Sequence, residues 1–191
     1  MAHLSIIGTG TMGQAIAALA GKGGHTVQLL GSGDTAVEAA GDIVVLAVPY
    51  PAVSTVLTQR GASFAGKVVV DITNPLDFET FDSLTVAADG SATEEIAAAL
   101  PASRVLKAFN TNFASTLASG SLGALTTTVL IAGDDADAKS ALAGVVTSGG
   151  LQAIDAGSLR RARELEALGF LQITLAANEK VSWTGGLGVV A

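Results

Sequence analysis

Gly8, Gly10 and Gly13 stand in the spacing G-x-G-x-x-G, after the apolar run Leu4-Ser5-Ile6-Ile7 and before the alanine-rich helical pattern Gln14 to Ala20. Each glycine has a use in holding a diphosphate. Gly8 permits a tight strand-to-helix turn, Gly10 lets main chain approach the phosphates, and Gly13 lets helix and strand pack closely. The free amides of Thr11, Met12 and Gly13 then aim their N–H bonds and the positive end of the helix dipole at the anion. No cation is required there. The motif gains specificity from context, because the next strand, Thr26 to Leu30, arrives where a βαβ unit needs it.

Three further loops carry candidate binding residues. At the end of the second strand a carboxylate would accept both ribose hydroxyls of NAD and repel the extra phosphate of NADP. Leu30 and Gly31 supply none, whereas Ser32 and the amides of its turn suit a 2'-phosphate. NADP is therefore the expected nucleotide, with NADPH bound more tightly than NADH. Asp34 lies nearby, and no arginine stands in this stretch. Ala47-Val48-Pro49-Tyr50-Pro51 and Asp71-Ile72-Thr73-Asn74-Pro75-Leu76 each end a strand with proline, which halts pairing and leaves a stiff wall. Val48, Pro49, Asn74 and Pro75 then suit the nicotinamide ribose and ring. In Ala108-Phe109-Asn110-Thr111-Asn112-Phe113, amide and hydroxyl groups stand beside aromatic rings.

Acid–base and metal chemistry find little support. His3 and His25 are the only histidines and sit in or before the opening strands, where structural roles are expected. Lys107 is expected to be solvated at a strand end. Glu94-Glu95 and Asp134-Asp135-Asp137 read as helix-start carboxylates favoured by the dipole rather than as a metal site. With no cysteine there is no thiolate nucleophile or ligand, so redox chemistry needs a bound cofactor. No residue is assigned as an acid–base catalyst.

The elements that must hold these loops follow from recurrent apolar runs at Asp42 to Val48, Lys67 to Ile72, Arg104 to Phe109, Thr127 to Ala132 and Leu151 to Ile154. Helices are expected at Ala52 to Arg60, Ala92 to Leu100, Phe113 to Ser119 and Asp135 to Thr147, the last capped by Asp134. Strands alternating with helices predict an α/β fold with a doubly wound, mainly parallel sheet. The link between second and third strands is too short for an ordinary crossover. After Gly157-Ser158, a longer helix from Leu159 to Val181 opens with Arg160, Arg161 and Arg163 and continues through a nearly uncharged middle. That middle fits packing on its own sheet and equally a subunit interface.

One domain with a short appendage fits a chain of 191 residues that is 49% apolar. The net charge of -7 opposes nucleic acid as a partner. Apolar runs are strand-sized, which argues against membrane spans. No signal-peptide pattern precedes the first strand, and a soluble, cytoplasmic protein is expected.

Taken together, Ile7-Gly8-Thr9-Gly10-Thr11-Met12-Gly13, Ala47-Val48-Pro49-Tyr50, Val69-Val70-Asp71-Ile72-Thr73-Asn74-Pro75 and Lys107-Ala108-Phe109-Asn110-Thr111 resemble the small NADPH-dependent reductases of the deazaflavin coenzyme F420. Ala132-Gly133-Asp134-Asp135, Asp155-Ala156-Gly157-Ser158-Leu159 and Trp183-Thr184-Gly185-Gly186 extend the match, in order, over nearly the whole chain. The resemblance implies a Rossmann domain over 1–157 and a C-terminal helix and tail over 158–191. It also implies a homodimer or higher oligomer through that helix and hydride exchange between NADP(H) and a small-molecule acceptor, F420. It assigns Thr9, Gly10, Thr11 and Met12 to the pyrophosphate, Gly31 and Ser32 to the adenine-side phosphate, Val48 and Pro49 to the ribose edge, and Asn74 and Pro75 to the nicotinamide side. Ala108, Phe109 and Asn110 come near the nicotinamide and acceptor, and Trp183, Gly185, Gly186 and Leu187 near the second ring. Where the family often has arginine just after the position of Ser32, this chain has Gly33. Some relatives carry a histidine near Phe109 or Asn110. The same domain type occurs in ferric reductases, there attached to membrane helices.

Two other readings use the same nucleotide domain. One is an NADP-dependent dehydrogenase or reductase of a small carbonyl, imine or hydroxyacid, with a pocket completed by a second subunit. The other is a non-catalytic NADP(H)-sensing module that reports through the C-terminal helix.

Overall fold

The structure, a computed structural model, describes residues 1–190. Its strands and helices alternate from the start: β1 (His3–Ile7), α1 (Thr11–Lys22), β2 (Thr26–Leu30), β3 (Ile43–Leu46), α2 (Tyr50–Arg60), β4 (Val68–Asp71), α3 (Ala92–Ala99) and β5 (Arg104–Lys107). The second half runs through α4 (Ala114–Ser119), a hairpin of β6 (Ser121–Leu122) and β7 (Leu125–Thr126), then β8 (Thr128–Gly133), α5 (Ala136–Ser148), β9 (Gln152–Gly157) and α6 (Ala162–Ala177). The seven-stranded sheet has the order β2-β1-β3-β4-β5-β8-β9. All neighbours are parallel except β5 and β8, which meet antiparallel with Lys107 opposite Ala132. This is the expected doubly wound, mainly parallel α/β sheet.

Every residue of β3 and β4 is buried. Central strands covered on both sides require that, which is why they read as near-continuous aliphatic runs, with Asp71 alone breaking the pattern at the end of β4. Alternate side chains feed separate cores. Leu4, Ile6, Val45, Val70 and Leu106 pack with Ile16, Leu19, Leu142 and Val145 from α1 and α5. Ile7, Val44, Leu46 and Val69 pack on the opposite face with Val53, Phe64 and Ile96.

Because β1 pairs with β2 on one side and β3 on the other, successive connections diverge there and leave a crevice beyond the strand ends. Such switch points are where open α/β sheets hold ligands. Between β2 and β3 the chain forms turns without a helix, as its brevity predicts.

Three local expectations are corrected. The α5 cap is Asp135, whose carboxylate accepts the Ala138 N–H at 2.7 Å, and not Asp134. Asp134 instead accepts the Leu159 N–H at 2.9 Å and steadies the turn after β9. The long C-terminal helix begins as a 3-10 turn at Leu159–Arg161 and ends at Ala177, because Glu179 takes a left-handed φ of 58° that turns the tail back. Lys107, the third, bears on the candidate site. Among the described residues, no helix is long and apolar enough to cross a membrane.

Candidate functional site

The turn from β1 into α1 is fixed by contacts no larger residue could make. Gly8 has φ 120°, and a Cβ there would lie 2.0 Å from the Ala47 carbonyl oxygen; one on Gly13 would lie 2.1 Å from the Gly8 oxygen. Gly10 differs, for a Cβ there meets nothing within 4 Å. It occupies the N-cap position of α1, where no side chain caps the helix and no acid sits in the first turn. The first-turn amides and the positive helix end therefore lack any anionic partner from the chain.

A cleft opens on each side of this turn. The first, about 440 Å³, is lined by Gly8, Thr9, Gly10, Gly31, Ser32, Val48 and Pro49, joined by Thr35, Thr55 and Arg60. The second, also about 440 Å³, is lined by Thr11, Met12, Asn74, Phe109 and Asn110, with Phe78, Phe113, Ile173 and Trp183. Pro75 and Ala108 stand behind these walls: Ala108 is fully buried, and the Pro75 carbonyl accepts from the Thr85 N–H at 2.7 Å.

Asn74 and Asn110 form the floor of the second cleft. The Asn74 Nδ2 donates to the Asn110 carbonyl at 2.9 Å, and the Asn110 Nδ2 donates to Asn74 Oδ1 at 3.0 Å and to the Leu165 carbonyl at 2.8 Å. These acceptors fix which way the Asn110 amide points, and Asn110 Oδ1 is left buried without a partner. Helix α6 can approach so closely only through Gly169, where a Cβ would fall 2.3 Å from Asn74 Oδ1. Phe109, 1% exposed, is held at φ 62°, an uncommon state for a bulky residue. Beyond it, the Phe113 and Trp183 rings lie 4.9 Å apart between centroids, so the tail reaches the cleft.

Beneath the asparagines lies a cluster of charges that corrects the expectation of a solvated Lys107. Its ammonium is fully buried, 2.8 Å from Asp71 Oδ2 and 2.9 Å from Glu166 Oε1, and it donates to the Thr73 carbonyl at 2.6 Å. The physical reason is register. Lys107 ends β5 directly beside Asp71 at the end of β4, so the two side chains enter the same layer and neutralise each other. Glu166 comes from α6 and also accepts the Ala92 N–H at 2.9 Å, tying in the start of α3. Asp71, Glu166 and Gly169 were not legible as site-supporting residues, since Glu166 and Gly169 join the network from a distant helix.

Remaining titratable groups have local duties. Tyr50, following Pro49, donates its phenol to Glu95, and burial together with that bond pushes its pKa up. Ser91 caps α3, its hydroxyl accepting the Glu94 N–H at 3.1 Å and donating to Glu94 Oε2 at 3.0 Å. His25 accepts the Ala2 N–H on Nδ1 at 2.9 Å, so its Nε2 carries the proton toward Ser148, the structural role expected of it.

The chain is similar to several known proteins. The model of a family described as NADP oxidoreductase, coenzyme F420-dependent, matches residues 27–75. An F420-dependent NADP reductase of Methanocaldococcus jannaschii is 31% identical over 149 residues, covering 76% of this chain and 66% of that protein. The Metalloreductase STEAP3 of Rattus norvegicus is 36% identical over 104 residues, which are 54% of this chain and 20% of that one. In structure, a candidate F420-dependent NADP reductase from Arthrobacter sp. FB24 superposes with a TM-score of 0.87 at 26% identity over 100% of both chains.

Proposed function

Since the chain belongs to the family of F420-dependent NADP oxidoreductases, we propose that it catalyses hydride transfer between NADP(H) and a deazaflavin of the F420 type. The observation that carries this reading is the pair of clefts meeting at the unpartnered amides of α1. A dinucleotide bridging them would rest its diphosphate on Thr9, Gly10, Thr11 and Met12 and its adenosine against Gly31, Ser32, Val48 and Pro49. The open space beside Gly10 fits the phosphates, and the unsatisfied Asn110 Oδ1 fits the amide N–H of a nicotinamide. When bound, NADPH supplies a hydride and the deazaflavin ring is the acceptor.

The chain's own contribution is positioning and dryness. Asn74 and Asn110 fix the floor, Phe109 and Ile173 exclude water, and the aromatic pair Phe113 and Trp183 offers a face for a second planar ring. Proton transfer from an acidic or basic side chain is not needed for this step.

Residues 1–157 act on this reading as the nucleotide unit, and 158–191 add the acceptor wall and a subunit contact. Leu171, half exposed on α6, supports pairing with a second copy through that helix. Cytoplasmic residence belongs to the same reading. The test is anaerobic mixing of the protein with NADPH and oxidised F420, followed by absorbance. Bleaching of the deazaflavin band at a rate set by protein concentration is expected; an unchanged band overturns the acceptor assignment. Sedimentation tests the homodimer.

A further inference from the structure

Arg60 ends α2, far in sequence from the turn after β2, yet it lines the first cleft together with Gly31, Ser32 and Thr35. Only 8% of it is exposed, and among the described residues it forms no ion pair. Its guanidinium donates through Nη1 to the Val37 carbonyl and through Nη2 to the Asp34 carbonyl. A guanidinium has five N–H donors in a planar fork, so several remain unassigned. A buried cation compensated only by carbonyl dipoles is costly. Asp34, whose carbonyl Arg60 reaches, turns its carboxylate elsewhere: it accepts the Gly31 N–H at 2.7 Å, at the tip of β2.

We propose that Arg60 is the residue that selects NADP(H) over NAD(H), by pairing with the 2'-phosphate of the adenosine ribose from beneath the β2–β3 link. The link from Gly31 to Asp42 contains no lysine or arginine, and Arg60 delivers a cation to it from α2. The proposal rests on the first cleft being the adenosine side of a dinucleotide site. A phosphate dianion at the Ser32 turn completes Arg60's hydrogen bonding, neutralises its charge and gains a fork-shaped partner. Asp34 opposes it, holding a negative charge and the Gly31 amide in the same corner. Selectivity is then set by the contest between Arg60 and Asp34.

A plainer role, fastening the helix-free link through the Asp34 and Val37 carbonyls, makes a different forecast. Loosening the link affects both nucleotides alike, because both carry the same adenosine. The experiment is calorimetric titration of wild type, Arg60→Gln and Arg60→Lys with NADPH, NADH and 2',5'-ADP. Arg60→Gln should weaken NADPH and 2',5'-ADP by roughly 10- to 100-fold, the worth of hydrogen bonds to a charged group, while leaving NADH within about twofold. Arg60→Lys, which keeps the charge and loses the fork, should fall between. Equal losses for NADPH and NADH, or no change in either, overturn the proposal.

Should Arg60→Gln fail to fold, Asp34→Asn decides, since it leaves Arg60 in place. It should raise the NADPH-to-NADH affinity ratio by several-fold, and an unchanged ratio overturns the proposal. Wild type that binds neither nucleotide would instead remove the underlying reading of the cleft.

Discussion

Lys107 Nζ lies 2.9 Å from Glu166 Oε1 with both side chains withdrawn from water, so the end of β5 is pinned to α6 by charge. Asp71 approaches the same ammonium from β4 at 2.8 Å, which places two carboxylates around one cation. The excess negative charge is spread over the Thr93 hydroxyl and the amides of Ala92 and Thr93 at the start of α3, where the helix dipole favours an anion.

Lys107→Met removes the only cation and strands both carboxylates. A loss of about 3–5 kcal/mol in urea denaturation is expected, the range for breaking a buried pair. Glu166→Gln keeps the Lys107 pair with Asp71 and an oxygen for one α3 amide, so its loss should be markedly smaller. Equal destabilisation by the two variants would contradict this account of the cluster.

The cradle glycines divide into two kinds that mutation separates. Gly8→Ala drives a methyl into the Ala47 carbonyl and demands a φ that alanine resists. It should lower the melting temperature sharply. Gly10→Val points into open space and exchanges a tolerable N-cap for a poor one, a cost of about 1 kcal/mol. Its fold should survive, while NADPH binding by calorimetry should vanish because the side chain occupies the place of the diphosphate. Retained binding by Gly10→Val means that the phosphates rest elsewhere.

These contrasts also explain what could be read from sequence. Gly8, Gly10 and Gly13 announce themselves because the strand, the turn and the helix they serve are contiguous, and the prolines at Pro49 and Pro75 mark strand ends just as locally. Arg60 escaped because it comes to line the same cleft as Ser32 only after α2 has folded against the β2–β3 link. Lys107 misled for a related reason. A lysine closing an apolar strand normally reaches solvent, and here the register with Asp71 and the docking of Glu166 decide its burial. The choice of Asp135 over Asp134 as cap turned on a bond from Asp134 to Leu159, 25 residues on.

Tyr50 gives a clean optical test, being the only tyrosine in the chain. Burial and the bond to Glu95 push its pKa up, whereas an unfolded tyrosine ionises near pH 10. The native state therefore holds its proton where the unfolded chain releases it. The contribution to stability is complete below about pH 10 and declines as pH rises further. In alkaline titration the tyrosinate band should stay absent from native protein at a pH where protein in denaturant shows it fully. Glu95→Gln, which removes the charge but keeps an acceptor, should bring native ionisation to lower pH. Coincident native and denatured titrations would disprove the coupling.

Gly169 offers the sharpest probe of the second cleft. An added Cβ would stand 2.3 Å from Asn74 Oδ1 and 3.0 Å from Asn110 Nδ2, so Gly169→Ala forces the asparagine pair apart or lifts α6 away from it. The first cleft shares no wall with this contact. In stopped-flow mixing, hydride transfer should slow by about tenfold or more, in line with the cost of misplacing reacting groups. Binding of 2',5'-ADP, which reaches only the adenosine side, should be unchanged. Trp183, the only tryptophan and part of the second wall, should report the altered acceptor site by a weaker fluorescence quench on F420 addition. Undiminished hydride transfer in Gly169→Ala would show that the asparagine floor does not position the reacting rings.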